Sequence, residues 1–391
     1  MLACAARIRL AMAQQIKVLQ VLVCLGGGGV ETLLLNLQAK LPEQISFDYL
    51  VAHPDFRDKE ARGYGSTVHV IPPEMQSPTR WATLVGQLVS EHRYDVVHFH
   101  RFAFAGTVLK AAKQAGARGR IAHSHRTNLQ DESVGMRLCY LPYHWTMNRW
   151  LLMQHATHLV GCSSDALRFV TGPFTKNPKC RVVLNGILMD EFADKIGSTP
   201  KEGLCRRYGI PAEAPIIGNL NRLTSIKNHE FLLRVFETLV KRHQASPAVV
   251  FIGGEGPMRS KLEQDRDLFS LQDRVYMPGH CTNAPELLGR LFDCLVTPSK
   301  MEGLPITIIE AVAAGLYVVC SDAITQDVTR AFPDRITALP LSAPLERWAD
   351  AIEHAIQQRI PPEQGLELVR NSPMNFNSFA EEMIKVYETV Q

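Results

Sequence analysis

The sequence predicts an α/β protein built from two doubly wound Rossmann-like domains, and three observations carry that prediction. The chain has 391 residues, too many for one ordinary hydrophobic core and suited to two. Short apolar runs alternate with stretches of helical periodicity along most of its length. Those runs are continuous, as in strands buried on both faces, which implies mostly parallel sheets covered by helices.

The first element is the run Ile16 to Cys24, followed by a glycine turn and then Val30, Leu33, Leu34, Leu37 and Leu41 at helical spacing. This opens a βα unit. Strand-like runs follow at Phe47–Val51, Val68–Ile71, Val96–Phe99, Ile121–His123, Leu159–Cys162 and Val182–Leu184. Ala193 to Pro200, polar and carrying Gly197 and Pro200, reads as a linker. A second series has strands at Ile216–Leu220, Val249–Ile252, Val275–Met277, Cys294–Thr297 and Tyr317–Cys320. At the end, Ser378 and Glu381 form a capping box before Phe379, Met383, Val386, Tyr387 and Val390. The expected organisation is a disordered leader at 1–15, domains at 16–195 and 200–370, and a terminal helix at 371–391 that packs back on the first domain.

Charge is nearly balanced, 42 Lys+Arg against 39 Asp+Glu, so nothing global points to nucleic acid. The nine cysteines are scattered singly, a reduced, intracellular pattern with neither a disulfide frame nor a zinc site. No window reaches the roughly 18 apolar residues of a membrane span. A cytoplasmic protein, at most peripheral on a membrane, is the expectation.

Three loops carry chemistry. Gly26–Gly29 with Glu31 lies between a strand and a helix, where Gly28 and Gly29 allow close backbone approach and free N–H groups favour an anion. A tight structural turn is the plain alternative. Glu31 stands where the third glycine of a dinucleotide fingerprint belongs, so a nicotinamide site is disfavoured. Gly253, Gly254 and Gly256 follow another strand, before Pro257, as a second phosphate or base loop. In the third, Glu302-Gly303-Leu304-Pro305 precedes a helix, with Pro305 at its first position and Glu310 farther along. A diphosphate suits the helix start. Glu310 suits a ribose diol and Glu302 sugar hydroxyls, because a carboxylate presents two acceptors to two donors. Asp265-Arg266-Asp267 fits a metal-binding D-x-D pattern but sits among charged helical residues, where it reads as surface charge.

The second half resembles the retaining transferases of glycosyltransferase family 4, in which two glutamates spaced like Glu302 and Glu310 are a hallmark. Arg222 and Lys227 resemble the family's diphosphate-binding arginine and lysine, Gly254-Glu255-Gly256-Pro257 its G-x-G-P loop, Gly28–Glu31 its first glycine loop, and Asn185-Gly186-Ile187 its turn near the domain junction. The resemblance implies a GT-B fold, two domains facing across a cleft, with a nucleotide on the carboxy-terminal domain and the acceptor on the other. It implies a retaining, metal-independent transfer, with a histidine at the end of the strand Ile121–His123 near the transferred sugar. His125 is favoured for that role, and His123 stays open.

The resemblance further implies a nucleotide diphosphate donor, commonly a UDP-sugar. The acceptor would be a saccharide, free or lipid-linked, in exopolysaccharide, capsule or lipopolysaccharide synthesis. Residues 101–150 hold eight Lys+Arg against Asp131 and Glu132. Leu138 to Met153 interleaves Tyr140, Tyr143, Trp145 and Trp150 with Arg137 and Arg149, so a peripheral membrane contact through 101–153 is expected alongside the alternative of an ordinary core helix. A nucleotide-sugar epimerase of the same fold and a catalytically silent nucleotide-sugar-binding partner subunit are the rival readings.

Overall fold

The structure, a computed structural model, describes residues 15–26, 28–73, 77–100, 102–127, 134–242 and 247–390. Of the expected leader, only Gln15 lies within them.

The chain forms two compact units, one of the described residues up to Val183 together with those from Phe379 onward, the other of Leu184–Ser378. The first holds a seven-stranded parallel sheet, in the order β3-β2-β1-β4-β5-β6-β7. Its strands are β1 (Ile16–Leu22), β2 (Ile45–Val51), β3 (Val68–Val70), β4 (Val96–Phe99), β5 (Gly119–Ser124), β6 (His158–Gly161) and β7 (Cys180–Val182). The second holds a six-stranded parallel sheet, β10-β9-β8-β11-β12-β13, of β8 (Ile216–Leu220), β9 (Val249–Gly253), β10 (Val275–Gly279), β11 (Cys294–Thr297), β12 (Tyr317–Ser321) and β13 (Ile336–Leu339). Continuous apolar runs produce this because the inner strands are buried on both faces. β4, β8, β9, β11 and β12 are buried along their whole length.

In both sheets the strand order reverses beside the first strand, between β1 and β4 and between β8 and β11. Ligands of open α/β sheets bind beyond the strand carboxyl ends at such a point.

The structure differs from the sequence reading in four places. The chain passes into the second unit after Val183, and Ala193–Lys195 continue the helix Met189–Lys195 instead of forming a linker. Pro305 is the residue before the helix Ile306–Ala313, not its first position, and the helix after Pro257 starts at Arg259. β13 carries Thr337 and Ala338 amid little apolar contrast and was not legible as a strand. The last helix starts earlier than its apparent capping box, at Phe376, because Asn375 accepts from the Ser378 N–H at 2.9 Å. Gly186 belongs to the same junction: Ile187 and Asn375 form an isolated parallel bridge, and a Cβ on Gly186 would stand 2.3 Å from the Asn375 carbonyl oxygen.

Candidate functional site

In the second unit, the loops after β8 and β11 carry the expected donor residues and are stitched together from below. Asn219, fully buried on β8, donates to Val296 O at 2.7 Å and accepts from His229 Nε2 at 3.0 Å. Asn228, in the left-handed region at φ 58, donates to Pro298 O at 3.1 Å, and the Lys300 N–H reaches Ile226 O at 2.8 Å. These bonds fix the loop of Arg222 and Lys227 against the loop of Glu302.

The result is a direct ion pair between Lys227 Nζ and Glu302 Oε1. Ser299 Oγ donates to the same carboxylate oxygen at 3.0 Å, and Ser321 Oγ in turn holds the Ser299 carbonyl. Arg222 is exposed and has no ion-pair partner among the described residues. Gly303 and Leu304 follow Glu302 and lead through Pro305 into the helix Ile306–Ala313, where the Ile308 N–H already bonds Pro305 O at 3.1 Å and the N–H groups of Ile306 and Thr307 have no intrahelical acceptor.

Glu310 is half-buried on that helix. Burial pushes its carboxyl up to about 7, against a smaller downward pull from Lys195. No side chain among the described residues hydrogen-bonds this carboxylate. A desolvated carboxylate in that state lacks the donors that a diol would supply.

Gly254 and Gly256 have a packing role in addition to the one their motif suggests. The Gly254 N–H is spent on Gly279 O at 2.8 Å, so it is not offered to a phosphate. A Cβ would lie 2.0 Å from Asn221 O at Gly254, where φ is +151, and 2.4 Å from Leu223 O at Gly256. Leu223 N donates to Glu255 O at 2.9 Å. The glycines let this loop press against the base of the Arg222 loop. Gly254→Ala is therefore expected to destabilise the protein by about 1–3 kcal/mol or more. Urea unfolding checks this, and an unchanged midpoint contradicts the packing role.

In the glycine loop of the first unit, Gly27 lies outside the described residues. Gly28 caps the helix Gly29–Gln38, and a Cβ there would meet Glu31 Oε2 at 2.2 Å. The chain's own carboxylate lies over the helix start, where the sequence reading put an external anion.

At the carboxyl ends of β1, β4 and β5 the first unit carries a cluster that was only half read from sequence. Gln20 pairs in register with His98, and period-two alternation puts His98, His100, His123 and His125 on one face. His98 Nε2 lies 3.2 Å from His123 Nδ1, and His100 Nδ1 lies 3.1 Å from His125 Nε2. His100 Nε2 is 2.9 Å from Gln20 Oε1. From the C-terminal helix Phe376–Glu388, Tyr387 OH reaches His98 Nδ1 at 2.8 Å and accepts from Gln20 Nε2 at 3.0 Å.

His123 is buried on the strand, while His125 lies just past its end and is half-buried. Burial and the neighbouring rings hold His98, His100 and His123 well below the ordinary imidazole range, and burial alone takes His125 to about 4. His98, His100 and Tyr387 were missed, although the repeated His-x-His at two strand ends was a usable signal.

Two groups among the described residues have a donor set that could hold a metal: His98, His100 and His123, and Cys24, His53 and Asp55. In the first, the nitrogens named above are already engaged with one another, Gln20 and Tyr387. Asp265 is on the helix Arg259–Leu268, paired with Lys261 at 3.3 Å.

The aromatic stretch divides in two. Leu138, Trp145, Met147 and Trp150 are 71%, 49%, 51% and 58% exposed. Arg149, expected among them at a surface, is turned inward instead. Its guanidinium lies 4.1 Å from the Trp145 ring centroid and donates to Phe169 O and Val170 O at 3.1 and 3.2 Å. Those carbonyls end the helix Ser164–Thr171, and a cation there is favoured by the helix dipole. The side chain of Arg137 lies outside the described residues. Among the described residues no helix is long and apolar enough to cross a membrane.

The chain matches the family profile "Glycosyltransferase Family 4" over residues 27–191 and "Glycosyl transferases group 1" over 201–365. It is 32% identical over 350 residues to a putative glycosyltransferase, EpsF, of Bacillus subtilis, covering 88% of each chain. It is 24% identical over 241 residues, 60% of each chain, to the UDP-Gal:alpha-D-GlcNAc-diphosphoundecaprenol alpha-1,3-galactosyltransferase of Escherichia coli. Among solved structures, Anabaena HepE in complex with UDP superposes with a TM-score of 0.75 at 15% identity, covering 96% of this chain and all of that one. WaaG, a glycosyltransferase of lipopolysaccharide biosynthesis, superposes with a TM-score of 0.69 at 14% identity, over 95% and 99%. With two parallel sheets of that architecture and the glutamate, arginine and lysine landmarks in place, the chain belongs to glycosyltransferase family 4 and is a transferase of the GT-B fold.

Proposed function

We propose that this protein transfers a hexose from a UDP-sugar to a saccharide or lipid-linked saccharide acceptor, with retention at the anomeric carbon, in the synthesis of a surface polysaccharide. The observation that carries the reading is the built site on the second unit: a Lys227–Glu302 pair, a helix start and, among the described residues, an Arg222 with no ion-pair partner and a Glu310 carboxylate with no side-chain hydrogen-bond donor. Arg222, Lys227 and the helix start take the diphosphate, Glu310 the ribose diol, and Glu302 the sugar hydroxyls. HepE is described with UDP, and the E. coli relative as acting on a diphosphoundecaprenol-linked sugar, which supports the choice of donor and acceptor class.

The acceptor hydroxyl attacks from the face the diphosphate leaves, so the departing charge needs immediate neutralisation. Arg222 and Lys227 supply it with no metal in the scheme. His125, at the end of β5, contacts the transferred sugar. The exposed Leu138, Trp145, Met147 and Trp150 support a peripheral membrane contact that would present a lipid-linked acceptor.

A panel of nucleotide sugars, scored for diphosphate release with a lipid-linked saccharide, tests the reading. UDP-sugar turnover with an anomeric configuration matching the donor is expected. Interconversion of the free donor without acceptor, or nucleotide binding with no turnover, would overturn it. Trp145→Glu with Trp150→Glu is expected to reduce co-sedimentation with anionic vesicles at low salt, and equal binding of the wild type and this variant contradicts the membrane contact.

A further inference from the structure

The six-group cluster of the first unit has a direction, and the direction is set by one amide. Gln20 turns Oε1 to His100 Nε2 and Nε2 to Tyr387 OH. An acceptor oxygen requires a proton on His100 Nε2, leaving Nδ1 bare. His125 Nε2, 3.1 Å away, must then donate to it. On the other side, Tyr387 OH accepts from the amide and gives its own proton to His98 Nδ1. His98 then carries its proton on Nε2 and passes it toward His123 Nδ1 at 3.2 Å, so His123 is protonated on Nε2.

All four rings come out as the same tautomer. Turning the amide over reverses every bond and makes all four Nδ1–H. Each arrangement is self-consistent, and a mixture of the two leaves two protons or two lone pairs facing each other, or the buried Tyr387 hydroxyl with its proton unpaired. The ends of the chain are the atoms the network does not use: His125 Nδ1 and His123 Nε2 are buried and have no partner among the described residues. The rings that carry them lie 4.1 Å apart. With the Gln20 oxygen toward His100, the first is a bare acceptor and the second an N–H donor.

We infer that Gln20 and Tyr387 are positioning residues that lock His98, His100, His123 and His125 together as Nε2–H tautomers, so that His125 offers a lone pair and His123 a proton to a ligand hydroxyl group. The catalytic part of this rests on the proposed contact of His125 with the transferred sugar; the tautomer lock does not. A hydroxyl is the group that fits, since it donates to one atom and accepts from the other. It also follows that the C-terminal helix has a part in the chemistry, through Tyr387, although it comes last in the chain.

Long-range ¹⁵N–¹H correlation spectra of histidine-labelled protein near neutral pH read the tautomer of each ring, with single His→Gln variants giving the assignments. All four rings should be Nε2–H in the wild type, and any one found as Nδ1–H or imidazolium overturns the inference without need of a variant. Gln20→Leu removes both partners and should leave His100 and His125 as tautomer mixtures. It should lower kcat by about 10-fold or more with the KM for donor little changed. Gln20→Glu keeps an acceptor for His100 Nε2 and should restore the His100 and His125 tautomers and most of kcat. Tyr387→Phe should release only His98 and His123. Unchanged tautomers in Gln20→Leu overturn the lock. His125→Asn with full turnover would instead sink the catalytic reading while leaving the lock intact.

Discussion

Replacing Lys227 with alanine is expected to lower turnover by about 10²–10³-fold, the usual loss when one preorganised charge facing a leaving group is removed. Two effects act together. The departing diphosphate loses a cation, and Glu302, whose side chain is 14% exposed, keeps Ser299 as its one side-chain donor among the described residues and becomes an uncompensated carboxylate. The fold should survive, because the stitching beneath the loop runs through Asn219, Asn228 and the Lys300 N–H and not through the lysine. Lys227→Arg should fall between, since the fork of a guanidinium does not reproduce a point charge on a carboxylate already engaged by a hydroxyl. Steady-state diphosphate release with a melting curve for each variant measures both effects. Wild-type turnover in a folded Lys227→Ala protein contradicts the assignment.

The second large effect is acid lability of the first unit. The folded-state values of His98, His100, His123 and His125 are all lowered, chiefly by burial, with the neighbouring rings adding to it for the first three. The sign is opposite to that of a histidine held by a carboxylate. Below an unfolded value of about 6.5 the unfolded chain binds protons that the folded cluster refuses, so stability is full above that pH and is lost as pH falls through it. For His125 the loss continues down to about 4. That one group is of the order of 3 kcal/mol at the bottom of its window. Unfolding midpoints should therefore fall steeply between pH 7 and pH 5, more than surface histidines would cause. His98→Phe, which cannot charge, should flatten the curve. A midpoint that does not change across that range contradicts the neutral buried cluster.

The fold was legible because burial on both faces makes a strand apolar throughout, and such runs survive reading without any partner information. β8 and β11 came out with the expected ends for that reason. β13 did not, since Thr337 and Ala338 break its apolar run and only pairing with β12 defines it. The donor residues were legible because their spacing follows from a loop leading into a helix. Their mutual arrangement was not: that Lys227 meets Glu302 depends on two loops brought together by Asn219 and Asn228, residues with no motif of their own.

The glycines have packing roles that their motifs do not separate from ligand binding. Glycine at a strand end marks close approach, and sequence alone cannot say whether a ligand or another stretch of backbone approaches. At Gly254 it is the carbonyl of Asn221, and at Gly28 the carboxylate of Glu31. Tyr387 was read only as one apolar position of a terminal helix, because its hydroxyl acquires meaning from Gln20 and His98, far away in the chain.

The central claim is that the second unit binds a nucleotide diphosphate with its ribose on Glu310. Calorimetric titration of wild type and Glu310→Ala with UDP and with its 2′,3′-dideoxy analogue measures the contact between carboxylate and diol directly. The wild type should prefer UDP by about 10-fold or more, as for a charge-assisted pair of hydrogen bonds, and Glu310→Ala should bind the two alike. A Glu310→Ala protein that keeps the full preference for UDP contradicts the account.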